Sequence, residues 1–135
     1  IGLAQNSGAV GVNSDFLALP RFPLASIYAN LETAKIKLDS KAFNVDLIQP
    51  LSPVTQDRNP PVTLKFNEGN YNLSQIGCFA NSRPLPMTWI DKSQGLLKIE
   101  PNESYTGRRW RYLCTAPVTG EKRFYWYSVQ WIKPD

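Results

Sequence analysis

From Val62 onward the chain never runs far without a strand-breaking cluster, and that rhythm limits what it can build. Val62, Leu64 and Phe66 alternate with Thr63 and Lys65, so the apolar side chains share one face of an extended segment. LSQIGCFA (73–80), PMTWI (86–90), GLLKI (95–99), RRWRYLCTA (108–116) and RFYWYSVQWI (123–132) follow, separated by Asn, Gly, Pro and Ser. Short segments of this kind with turn residues between them predict a small antiparallel β-sandwich. PVTGEK is the hairpin connection between the last two.

Cys78 and Cys114 both fall in strand-like sequence. They are either a disulfide closing a loop of about 36 residues, worth roughly 3–4 kcal/mol on the chain-entropy model, or two buried thiols acting as small hydrophobes. The disulfide is favoured, and with it an exported location. Trp89 follows Cys78, and Tyr112 stands two residues before Cys114. An inter-sheet disulfide packed by a tryptophan, with a tyrosine at that spacing, is the immunoglobulin-like arrangement. The short Trp89-to-Cys114 interval makes the expected fold a reduced, Ig-like version.

Parity along the last two strands sorts the aromatic run RFYWYSVQW. If Cys114 points inward, so do Tyr112 and Trp110, leaving Arg109, Arg111 and Leu113 outside. Tyr125, Tyr127, Val129 and Trp131 form the inner set of the final strand; Phe124, Trp126, Ser128 and Gln130 form the outer one. Phe124 and Trp126, expected beside Arg109 and Arg111 across the hairpin, then have three readings. They are a self-contained stacked cluster, a docking face for a neighbouring domain, or a platform for a glycan.

The first part of the chain is fragmentary. IGLAQNSGAVGV is a short apolar strand broken by Gly8 and Gly11, and Pro20 and Pro23 exclude a helix in LPRFPL. From Ser26 to about Lys41, Ile27, Leu31, Ala34 and Leu38 recur at helical spacing, with Ser26 as the N-cap. One strand and one helix cannot bury both of their faces. Residues 1–45 therefore read as the last βα unit of something larger, 46–61, with Pro50, Pro53, Pro60 and Pro61, as an extended linker, and 62–135 as the sandwich.

Charge and composition exclude more than they identify. The net charge is +4, and all the excess lies beyond residue 59, densest at Arg108, Arg109, Arg111, Lys122 and Arg123. A charge this small reads as a solvated face. No apolar run approaches the ~20 residues of a membrane span. There is no histidine, which removes the usual general base, Ser-His-Asp relays and Cys/His metal clusters. The Asn-x-Ser sequons at Asn72 and Asn102 are read as chance loop composition.

The run AQNSGAVGVNSDFLALPRFPLASIYANLETAKIKL, then NPPVTLKF, a cysteine strand and a closing RYLCTAP and FYWYSVQWI, resembles the C-terminal region of bacterial polysaccharide deacetylases of the NodB type, carbohydrate esterase family 4. The likeness spans almost the whole chain, with LPRFP and NPP its most specific landmarks. It implies that residues 1–45 end a deformed (β/α) barrel and that a small accessory β-domain follows. It also implies an exported hydrolase, periplasmic or secreted, that removes acetyl groups from an N-acetylhexosamine polymer. In such enzymes a divalent metal, zinc here, held by one aspartate and two histidines, activates water against the amide carbonyl. The family's Asp-Asp and His-x-x-x-His motifs have no counterpart in these 135 residues, so no catalytic residue is carried over. The partners implied are the upstream barrel, or a separate chain forming it, and the polysaccharide. Arg21, the charged residue of LPRFP, either braces a carboxylate of the barrel or, as preferred, ties down backbone carbonyls. The alternative is a stand-alone carbohydrate- or cell-wall-binding module using Phe124, Trp126, Arg109 and Arg111. Nucleic-acid binding, suggested by basic residues among aromatics, is the least favoured, because no recognised nucleic-acid motif accompanies them.

Overall fold

The structure is a computed structural model that describes residues 1–135. Nine strands follow one helix, α1 (Leu31–Leu38): β1 (Lys41–Ala42), β2 (Val45–Gln49), β3 (Val62–Phe66), β4 (Gly77–Ala80), β5 (Arg83–Pro84), β6 (Met87–Asp91), β7 (Leu96–Ile99), β8 (Arg109–Pro117) and β9 (Phe124–Ile132). They form a five-stranded sheet, β1-β9-β8-β4-β5, and a four-stranded sheet, β2-β3-β7-β6. All pairings are antiparallel except β1 with β9. The fold is mainly β, and side chains of both sheets meet in one core cluster.

Alternation accounts for that core. Val62, Leu64 and Phe66 of β3 are buried while Thr63 and Lys65 are not. Trp110, Tyr112, Cys114 and Ala116 of β8 are buried, with Val129 and Trp131 of β9 beneath the same layer. Tyr125 and Tyr127 pack against it as parity predicts. Phe43 plugs the point where the chain crosses from β1 in one sheet to β2 in the other, and its ring meets Phe66, Tyr71 and Tyr125 at 5.1, 4.9 and 5.2 Å. Gly95 sits at φ +68, where a Cβ would lie 2.2 Å from the Phe66 carbonyl oxygen. Only glycine allows that tight return into β7.

Cys78 and Cys114 are bonded, with S–S 2.01 Å. Their placement differs from the Ig-like expectation. They face each other as register partners on β4 and β8, neighbours in the five-stranded sheet, so the bridge staples adjacent strands instead of joining the two sheets. Trp89, on β6 of the other sheet, meets Phe66 edge-on at 6.4 Å.

The segment expected to be a free linker is partly strand and partly strap. Residues 45–49 are β2, paired with β3, so the sandwich begins at Lys41 and not at Val62. Beyond β2, Val54 bridges Ile132, and the Thr55 N–H and Ile132 N–H donate to Ile132 and Pro53 carbonyls. Arg58 Nη1 donates to the carbonyls of Tyr105 and Gly107, and Tyr112 Oη donates to Pro60 O at 2.9 Å. The prolines stiffen a segment that satisfies its polar groups on the sandwich itself.

Before Lys41 the pattern changes. Residues 1–12 form no strand; Leu3 bridges Leu19, and Gly2 and Ala4 exchange backbone hydrogen bonds with Phe16 and Leu19. The helix starts later than Ser26. Ser26 has φ 54 and opens a single 3₁₀ turn, Ser26–Tyr28. Asn30 is the N-cap, its Oδ1 accepting from the Thr33 N–H at 2.9 Å. None of the helix's residues is buried.

Candidate functional site

β8 and β9 run in unbroken register from Arg109 opposite Ile132 to Pro117 opposite Phe124. Arg111 therefore faces Gln130, and Trp126 faces Thr115. Four residues of strand, about 13 Å, separate the two positions. The hairpin thus does not bring the rings and guanidinium groups together as the sequence suggested.

The outer face of this hairpin is instead covered by the chain's own N-terminal arm, residues 1–24. Trp126 stands edge-on to Phe22 at 5.4 Å. The Ser7 N–H donates to Ser128 Oγ at 2.7 Å, and Ser128 Oγ donates to Ser7 O at 2.8 Å. Arg111 Nη1 donates to Ser7 Oγ. Ser128, assigned to the outer set by its polarity, is outward but buried under the arm. Phe124, 45% exposed, and Arg109 remain open, at opposite ends of the hairpin. Arg21 is exposed; its Nη2 donates to Gln5 Oε1 at 2.8 Å. That bond goes to a side-chain amide, in contrast to the backbone role preferred from sequence.

Where the arm lifts from the sheet it leaves a cleft of about 410 Å³. Three segments far apart in sequence line it: residues 6–20 of the arm, the β1–β2 crossing at 42–46, and Trp126 to Ser128 of β9. Its two charged side chains are Asp15 and Asp46, and no lysine or arginine lines it, although the chain carries fifteen. Asp46 Oδ2 accepts from Asn67 Nδ2 at 3.0 Å, and Asp15 Oδ1 accepts from the Leu17 N–H at 2.8 Å. Each carboxylate thus has one oxygen engaged within the protein. Tyr127 also lines it; burial first, and the Asp46 charge second, push its phenol up to about 12. A phenol held neutral at ordinary pH is a hydrogen-bond donor beside an acceptor.

Sequence reasoning missed this cleft. Asn13, Ser14 and Asp15 were read only as part of a family landmark, Asn44 as the end of the βα unit and Asp46 as the start of a linker. Nothing local in either stretch says that they face each other across β9. No group of three or more His, Cys, Asp or Glu side chains converges, so the chain's own residues do not fit the family's Asp-His-His centre. Compared with protein-family models and with curated proteins, the chain matches none. No helix is long and apolar enough to cross a membrane.

Proposed function

We propose that this chain is the C-terminal, non-catalytic portion of a NodB-type polysaccharide deacetylase, in which residues 1–38 pack against a barrel formed by other residues and the sandwich positions the polymer. The observation that supports this reading is the apolar surface of the first 38 residues. Twelve of the chain's eighteen exposed large hydrophobic side chains lie there, among them Leu3, Val12, Phe16, Leu17, Ile27 and Leu31. An exposed apolar surface of this kind marks a contact with another body, and a segment with one short helix and no strand of its own needs another layer to cover it. The LPRFP and NPP stretches are the residues on which the resemblance to the NodB-type barrel rests. Zinc and the acid and base belong to that barrel. Tyr112, tied to Pro60 just before β3, supports reading the sandwich as a reduced Ig-like domain whose disulfide has moved within one sheet. The Cys78–Cys114 bridge supports a periplasmic or secreted location.

The test is on the native polypeptide, recovered with antibodies against residues 41–135. It should extend beyond this chain with one aspartate and two histidines as metal ligands. It should also release acetate from N-acetylglucosamine oligomers in a chelator-sensitive way, while residues 1–135 alone release none. A native polypeptide that releases no acetate from any N-acetylated polymer ends the reading. The alternative, a stand-alone carbohydrate- or cell-wall-binding module, is favoured by one feature, the polar cleft. A 135-residue chain that stays monomeric and binds no apolar dye would decide for it.

A further inference from the structure

We propose that the cleft between the N-terminal arm, the β1–β2 crossing and β9 binds one or two sugar units whose amine is free and protonated. The inference deepens the reading above and rests on it for the class of sugar: an amino sugar stripped of its acetyl group is what a deacetylase releases. A volume of about 410 Å³ falls at the lower end of small-ligand sites, roughly 300–1,000 Å³.

Sign of charge selects the ligand. A chain of net charge +4 leaves this cleft with two carboxylates and no cation. Lys41, the nearest basic residue in sequence to the crossing, is engaged with Glu121 at 2.9 Å. An anionic ligand would meet the carboxylates of Asp15 and Asp46, whereas an ammonium group would pair with them. Arg111, which donates to Ser7 in the cleft wall, and Lys65, the register partner of Asp46, flank the cleft, but neither forms an ion pair with either aspartate. Hydrogen-bond capacity selects the rest of the molecule. Vicinal hydroxyls both donate and accept, and the cleft offers both halves. Asp15 and Asp46 accept, Tyr127 donates, and the amides of Asn13 and Asn44 do either. Pro20 and Trp126 contribute apolar wall for the C–H face of a ring. Acetylation removes the positive charge and adds bulk, so the acetylated unit should be the weaker ligand.

The test titrates the 135-residue chain, followed by amide chemical shifts, with a glucosamine disaccharide, its N-acetylated counterpart and cellobiose. The glucosamine disaccharide should shift the resonances of Ser14, Asp46 and Tyr127 and bind at least about tenfold more tightly than the other two. Asp46→Asn should remove about that factor, and added salt should weaken the same complex. Tyr127→Phe, which deletes only a hydroxyl, should cost several-fold and serves as a second variant if the first is misfolded. Equal binding of all three sugars, no binding of glucosamine, or shifts confined to residues outside the cleft would overturn the proposal. Acetate release by the native polypeptide is read separately. Release without product binding overturns the cleft alone, and binding without release overturns the deacetylase reading alone.

Discussion

Residues 1–40 and residues 41–135 place their apolar side chains in opposite ways. The first 40 contribute Ser7 and Gly8 to the 24 buried residues, and the other 22 lie beyond them. Conversely, Leu31 is 90% exposed and Val12 98%, while Leu64, Leu97, Ile99 and Trp131 are fully buried. The difference is one of layers. A strand with period-two alternation finds the opposite sheet within this chain, so its apolar face is covered locally. A helix with apolar residues at three- and four-residue spacing needs another layer, and these residues contain none.

Core truncation should separate the two regions most widely. Trp131, buried and edge-on to Tyr112 at 5.5 Å, should cost about 3–5 kcal/mol when replaced by alanine. Leu31→Ala should change stability by no more than about 0.5 kcal/mol, since it removes no buried contact and alanine favours a helix. Urea midpoints at constant slope measure both. Comparable losses would mean that the helix is part of the sandwich's cooperative unit.

The disulfide comes next. Cys78→Ala with Cys114→Ala should cost about 3–4 kcal/mol, for a sequence separation of 36. The loss should fall on global unfolding, leaving the arm's local exchange unchanged, because the staple lies within the five-stranded sheet. A loss under about 1 kcal/mol would show that the β4–β8 ladder already restricts the unfolded chain.

Alkaline pH probes the same region through its phenols. Tyr127 and Tyr71 are each pushed up to about 12 from 10.0, mainly by burial, with Asp46 and Tyr125 adding smaller charge effects. Their folded-state values exceed the unfolded one, so the stabilisation is complete below pH 10 and is lost as pH rises toward 12. For Tyr127 this amounts to on the order of 2–3 kcal/mol. Phenolate absorbance should therefore rise together with unfolding in that window, and Tyr127→Phe should shift unfolding to higher pH. Titration of Tyr127 near 10 in a folded protein would contradict its burial.

How far the sequence discloses the molecule follows the same division. Strands β3, β4, β6, β7, β8 and β9 were legible because alternation and turn residues are local signals, and parity placed Trp110, Tyr112 and Trp131 correctly. The sheet to which each strand belongs was not. Cys78 and Cys114 have the spacing of an inter-sheet pair, yet strand order makes them neighbours, and order is a long-range property. β1 was hidden because two residues are too short to show alternation and fell in the stretch assigned to the βα unit, and most of β2 because it runs directly into Pro50 and Pro53 and was absorbed into the linker. The cleft was hidden for a related reason: it exists only where three distant segments meet. At Asn30 a usable signal existed, since asparagine caps a helix as well as serine does and stands directly before Leu31 and Glu32, closer to the apolar-periodic run than Ser26.

The smallest expected global effect is at the seam between the regions. Ser128 and Ser7 exchange two hydrogen bonds, at 2.7 and 2.8 Å, and Arg111 completes the group. Ser128→Ala leaves the Ser7 N–H buried without its acceptor, at a local cost of about 1–3 kcal/mol. The arm can avoid that cost by lifting away, since little of it is buried, so the urea midpoint should move by less than about 0.5 kcal/mol. Amide exchange at Ser7 should quicken by about tenfold or more, and protease should cut within residues 1–24 before the sandwich. Loosening the arm also opens one wall of the cleft, so the same variant should weaken the glucosamine complex without touching Asp46 or Tyr127. If Ser128→Ala instead lowers global stability as much as a core truncation, the arm folds with the sandwich, and its apolar surface is an outer skin of that domain with no claim on a missing partner.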